Sequence, residues 1–358
     1  MEHGPDRMVP VATAGSTVLR ADGATKDERA AARERAFPGS PSLIGLRDQG
    51  GIAFADYRRA LVPRYAFAWL DVGLRYALMI AGFAAICLYS HAAGARALWL
   101  VVPAAAWIGF WFASIVLFMH EGAHFLLHPD KATNDRLANT CICWLLGDDI
   151  AAYRALHWQH HLHLGDTRDT EVSYHYAPTL RFALETAAGV HAWRVFWNHR
   201  NARPEGEDRA REGRAGKAAL LRGICVHGAI LVVTLWAGLW PAALAWVLAV
   251  AVVFPYLSAL RQQLEHRSDA ASPEVDYARV PHGAVNRMFE KTFLARAFGS
   301  AGFRRHLLHH WDPSVSYTRF DELEAFLLRT DFAPAIDEAR TTYREAWRRL
   351  GTTRPGDQ

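Results

Sequence analysis

The sequence predicts an all-α integral-membrane fold: four transmembrane helices in two hairpins, topped by a cytoplasmic helical cap. Two observations predict it. Hydrophobic residues make up 51% of the chain while charged residues still make up 21%, and the two kinds fall in separate blocks rather than interleaving. Four apolar blocks are each long enough, or nearly so, for a span of roughly 20 residues.

The first block, about residues 67–90, contains Asp71 and Arg75, which are four apart and pair on one helix face. The second, 97–119, has 23 residues and no charge. The third, 223–240, is shorter and holds His227. The fourth, 242–260, has 19 residues, no charge and one proline, Pro255. Two uncharged runs of this length argue against the competing reading, a soluble bundle of buried helices. About six residues separate blocks one and two, and little more than Pro241 separates three and four, so each pair reads as a tight hairpin.

Four spans put residues 1–66, the 120–222 segment and the C-terminal part on one side. Those parts hold nearly all the arginine, so the positive-inside rule places them in the cytoplasm. The expectation is a multi-pass protein of a bacterial inner membrane with both termini cytoplasmic. Residues 1–66 read as an N-terminal cytoplasmic segment, partly disordered, with a charged helix around Asp27–Ala36. Residues 67–340 read as the membrane domain, and 341–358 as a C-terminal helix end and tail. The N-terminus has no short apolar core, so a cleaved signal peptide is not expected. A net charge of +4 is too small to argue for nucleic acid. The four cysteines, Cys87, Cys141, Cys143 and Cys225, suggest neither a disulfide framework nor a cysteine-based zinc site, and read as small buried hydrophobes.

Histidine is the unusual residue, with 18 copies. HEGAH brings His120 and His124 directly after the second block. HWQHH brings His157, His160 and His161, and HLLHH brings His306, His309 and His310. Positions i, i+3 and i+4 share one side of a helix. His266, in RQQLEH, lies six residues past the fourth block. All nine can converge on the cytoplasmic side of the spans. Imidazole suits iron, zinc and copper. One metal takes three or four protein ligands, so nine histidines suit two metals in the cap. Metal-bound histidine usually hands its other ring N–H to an acid or carbonyl. Asp148, Asp149, Asp166, Asp169 and Glu171 surround the second cluster, and Asp169 is the preferred partner. His128 and His163 lie near the clusters but outside the ligand set. His175, His191, His199, His227 and His282 read as non-ligands. Trp107, Phe110, Trp111 and Phe112 read as packing or lipid-facing aromatics rather than a tunnel lining. HEGAH also fits the H-E-x-x-H zinc-peptidase pattern with Glu121 as base, but that reading leaves the other two clusters unexplained.

With HxxxH, HxxHH and HxxHH arranged around two hairpins, residues 65–330 resemble the membrane fatty acid desaturase superfamily, which includes acyl-lipid hydroxylases, carotenoid ketolases and alkane hydroxylases. HLLHHWDPSVSYTRFDELEAFL is similar to the family's third histidine box with its following proline and helix, and RQQLEHR to its extra histidine region. The resemblance implies two iron ions held by His120, His124, His157, His160, His161, His266, His306, His309 and His310, with O2 as co-substrate. It implies oxidation of a membrane lipid or fatty-acyl chain, by desaturation or by hydroxylation or ketolation on the same scaffold. No flavin, haem or four-cysteine iron motif is visible, so a ferredoxin-, rubredoxin- or cytochrome-type electron donor is implied. The arginine-rich face suits an acidic donor. Chain length, head group and regiochemistry are not encoded in the motifs.

Overall fold

The computed structural model describes residues 43, 45–201, 207–279 and 283–351. The expected helix at Asp27–Ala36 lies outside them. The chain is mostly helical, and three helical stretches are long and apolar enough to cross a membrane: Tyr65–Ala123, Ala215–Trp236 and Trp240–His266.

After a short helix α1 (Phe54–Arg59), the first stretch contains α2 (Tyr65–Ala93), α3 (Leu98–Val116) and the six-residue α4 (Phe118–Ala123). Gly94 sits at φ +56°, a conformation that glycine adopts without a Cβ clash, and it ends α2. From there α3 runs back along α2. The Trp99 indole N–H donates to the Tyr89 hydroxyl near the turn, Trp107 donates to the Leu78 carbonyl midway, and Arg75 donates to Ser114 near the far ends. The Arg75–Asp71 pair expected from the i, i+4 spacing forms, and the Tyr317 hydroxyl also donates to Asp71 at 3.0 Å. The polar pair in the apolar block is therefore satisfied internally.

Next come α5 (Lys131–Cys141), α6 (Ile150–His163), α7 (Leu180–Ala187) and α8 (Val190–Asn201). Helix α9 (Glu207–Trp236) carries the second apolar stretch, and α10 (Trp240–Leu248), a π-helical turn Ala249–Val253 and α11 (Phe254–His266) form the third. The connection falls at residues 237–239, with Gly238 at φ +73°, and not at Pro241. Pro241 instead opens α10, where its missing N–H costs nothing. Gly109 on α3 lets this layer close up, since a Cβ there would lie 2.6 Å from Val253.

The remaining helices are α12 (Phe293–Phe298), α13 (His306–Trp311), α14 (Phe320–Leu327), α15 (Ala333–Ala339) and α16 (Tyr343–Leu350). One departure from an all-α chain is a two-residue parallel ladder, β1 (Met288–Phe289) on β2 (Arg340–Thr341). One core joins α2, α3 and α10. A second gathers Leu307, Leu308, Trp311, Leu323 and Phe326 around α13 and α14. Outside the first core, Leu70, Leu88, Val102, Val232 and Trp236 are left exposed on the long helices. Such an apolar surface suits lipid. Of the cysteines, Cys143 is buried as expected, whereas Cys225 is exposed on α9.

Candidate metal centre

The three histidine clusters come together from separate helices, each fixed by its own local chemistry. His120 lies on α4 and His124 caps its end. The loop that follows is tied down by Asn134, which accepts from the Leu127 N–H and donates to the Gly122 carbonyl. Asp149 caps α6, accepting from the N–H groups of Ala151 and Ala152, and so fixes where His157, His160 and His161 project. His266 ends α11. Just beyond it the buried Arg267 donates to the carbonyls of Tyr174, Tyr176, Ser272 and Val275 and pins two loops around the site. On α13 the histidines face inward while Leu307, Leu308 and Trp311 fill the second core.

All nine predicted histidines are buried, and they fall into two groups whose ligand atoms lie within 4.8 Å of one another. His120, His124, His157, His161 and His309 form the first. His160, His266, His306 and His310 form the second. The groups adjoin, with the His161 and His310 ring centroids 4.6 Å apart. Each HxxHH box is thus split between the groups rather than serving one. The helix turn explains the split. Position i+4 is about 40° round the axis from i and points the same way, whereas i+3 is about 60° round in the other direction. The i, i+4 pairs His120/His124 and His157/His161 share the first group, and His306/His310 share the second. The i+3 residues, His160 and His309, each cross to the group that the rest of their box does not serve.

The donor set fits metal better than it fits hydrogen bonds. His309 Nε2 faces His120 Nε2 and His161 Nε2, both at 2.8 Å, and His157 Nε2 faces His124 Nε2 and His161 Nε2, both at 3.0 Å. An imidazole nitrogen carries either one hydrogen or one in-plane lone pair, so His309 and His157 can each satisfy only one of these neighbours. In the second group, His160 Nε2 and His266 Nε2 are buried with no hydrogen-bond partner. A cation accepted by all these lone pairs removes the conflict. Burial, reinforced by neighbouring rings, holds His161, His306, His309 and His310 well below the ordinary imidazole range. The neutral ring is the form that binds metal. His160 differs. Burial works against its charge, but Asp169 and Glu171 outweigh it and push the ring up to about 9.

Three rings are oriented from behind through Nδ1. His160 faces both oxygens of Asp169 at 3.0 Å, His157 faces Glu171 Oε1 at 3.2 Å, and His266 faces the Val285 carbonyl at 3.2 Å. Tyr174 donates to Asp169, and Gln262 donates to Glu171 at 2.9 Å. Asp169 is the acid that the sequence favours. Glu171 is one of five flanking acids that the sequence offers, and no motif marks Gln262, Tyr174 or Val285. Asp149 is a helix cap and Asp166 accepts from Arg168, so neither orients a histidine in the described contacts. His128, His163, His175, His191 and His227 lie outside both groups. The side chain of His199 and all of His282 fall outside the described residues.

The family model for fatty acid desaturases matches residues 97–346, well over half of the chain. The chain belongs to the fatty acid desaturase family. A search of curated proteins finds no match. As a member of this family the chain is a membrane oxidoreductase of the desaturase and hydroxylase type. The family is of the di-iron kind, and the two buried histidine groups can hold metal.

Proposed function

We propose that this protein uses two iron ions and O2 to oxidise a lipid-like hydrocarbon chain, with fatty-acyl or acyl-lipid desaturation as the reaction. The observation that carries the reading is the division of nine buried imidazoles into adjoining groups of five and four. Zinc sites are almost always four-coordinate, so a five-imidazole group favours iron. The zinc-peptidase reading also fails on Glu121. A general base must be placed to take a proton from the metal-bound water, but this carboxylate lies outside both histidine groups and accepts from Ser316 Oγ at 2.8 Å.

The chemistry two irons supply when bound is O2 activation and hydrogen abstraction from an unactivated C–H bond. The chain's own residues prepare for it. Asp169, Glu171 and the Val285 carbonyl fix three rings through Nδ1 and leave Nε2 for metal. Burial of all nine rings excludes water from the centre. Electrons come from a separate ferredoxin-, rubredoxin- or cytochrome-type protein.

Tyr65–Ala123 is read as two passes, supported by the return of α3 along α2, so the chain crosses the membrane four times. The histidines then lie at the cytoplasmic ends of the spans, among the cap helices α5–α8 and α12–α16. Purified protein is expected to hold two irons per chain, and supplied with O2, reductant and a donor protein to convert a lipid chain to a product two mass units lighter. A product 16 units heavier would assign hydroxylation to the same centre. One zinc and no iron would overturn the reading.

A further inference from the structure

Beside the metal centre lies an open cleft of about 390 Å³ between the start of α2, the turn Gly299–Arg305 and α14. Five arginines line it against two aspartates. Three of the five are engaged: Arg64 with Glu322, Arg75 with Asp71, and Arg305 with Asp321 and Glu324. The other two, Arg296 and Arg304, make no ion pair or side-chain hydrogen bond among the described residues. Arg304 is half-buried, and its Nη1 is enclosed without a partner. Arg305 and Arg296 repel it; Asp321 and Glu324 also lie nearby, but Arg305 already bonds both, so the positive charge around Arg304 is not fully matched and favours a further anion.

The other half of the cleft is apolar. Phe67, Leu74 and Phe293 line it while 55%, 57% and 77% exposed, and Leu78 and Trp111 continue it. All but Phe293 belong to the apolar stretch Tyr65–Ala123. The wall at Ala301 and Gly302 runs directly into Phe303, whose ring lies 4.6 Å from His120 and 4.8 Å from His306. A soluble anion has no use for the apolar half, and a neutral lipid leaves the two guanidiniums unpaired.

We propose that this cleft binds a lipid with a net negative head group, Arg296 and Arg304 taking the anion and the apolar half taking the first part of its chain. The inference rests on the proposed function, because it names the class of lipid presented to that centre. Charge-assisted bonds from a guanidinium to phosphate or carboxylate are among the stronger polar contacts, and arginine presents them in a paired geometry.

The test titrates the full-length protein in detergent with phosphatidylglycerol, oleate, phosphatidylcholine or inorganic phosphate, reading bound lipid by native mass spectrometry. Phosphatidylglycerol or oleate is expected to bind about tenfold more tightly than phosphatidylcholine. Whichever of the two binds more tightly identifies a phosphate or a carboxylate head group. Arg296→Gln and Arg304→Gln should each remove most of that preference, and Arg344→Gln, an exposed change on α16, should not. Arg296 is itself exposed, so its variant reports even if the Arg304 change impairs folding. Equal binding of charged and neutral lipid, an unchanged preference in Arg296→Gln, or displacement of the lipid by an equal concentration of inorganic phosphate would overturn the proposal. Selective binding without iron or O2-dependent product would leave the cleft standing and remove the proposed function instead.

Discussion

His160 Nδ1 stands 3.0 Å from both carboxylate oxygens of Asp169, and both side chains are completely enclosed. The acid fixes the ring so that Nε2 points into the four-histidine group. Tyr174 in turn holds the acid. Asp169→Asn keeps the shape but loses the charge, and outer partners of metal ligands are typically worth about 10–100-fold in affinity or activity. Iron content after dialysis against a chelator should therefore fall in Asp169→Asn and not in Asp166→Asn. Equal retention in the two variants would separate Asp169 from the site.

Arg75 and Asp71 sit on α2 with side chains 8% and 20% exposed. Breaking a buried pair from one side costs about 3–5 kcal/mol, and this partly wet pair should fall at or below the lower end. Arg75→Met should lower the melting temperature in detergent by several degrees. The double variant Arg75→Met/Asp71→Leu should recover much of the loss, because no charge is left stranded. A double variant as unstable as the single one would show that the arginine acts through packing instead.

Gly302 adopts φ +87°, and a Cβ there would lie 2.5 Å from Tyr317 Cβ and 2.7 Å from the Phe320 ring. Both backbone and packing oppose any side chain. Gly302→Ala should cost about 1–3 kcal/mol. The displaced turn carries Phe303, so iron content should fall along with thermal stability. An alanine variant with the parent's melting temperature would disprove the close approach.

His191 is buried with Nε2 at 2.9 Å from Ser173 Oγ, against Tyr176 and Phe182, with Arg194 and Glu185 as its charged neighbours. Burial first, and then Arg194, lowers its pKa to about 4. The unfolded chain takes up this proton near 6.5 and the folded chain resists until about 4. Stability is therefore present above pH 6.5 and is lost as pH falls through that window. His191→Phe should have a smaller melting-temperature drop between pH 7.5 and 5 than the parent. An identical drop would assign the acid sensitivity elsewhere.

The three histidine boxes were legible in the sequence because i, i+4 spacing on a helix is a local property. HEGAH, HWQHH and HLLHH each set their i and i+4 rings on one side of a helix, and an uncharged apolar run needs no partner to be recognised. Boundaries were less secure. The turn expected at Pro241 falls at residues 237–239, because proline is comfortable in the first turn of a helix and glycine takes the reversal. Glu171 and Asp169 flank the second box equally well in sequence, and no pattern announced Gln262 or the Val285 carbonyl.

What the sequence determined by itself is the nine imidazoles and the long apolar helices, since both follow from residue type and helical period. The tertiary structure decided which histidine joins which group, which acid stands behind which ring, and that two of the five arginines in a half-apolar cleft make no ion pair among the described residues. Those facts depend on where helices far apart in the chain meet, which the local period of any one helix does not specify.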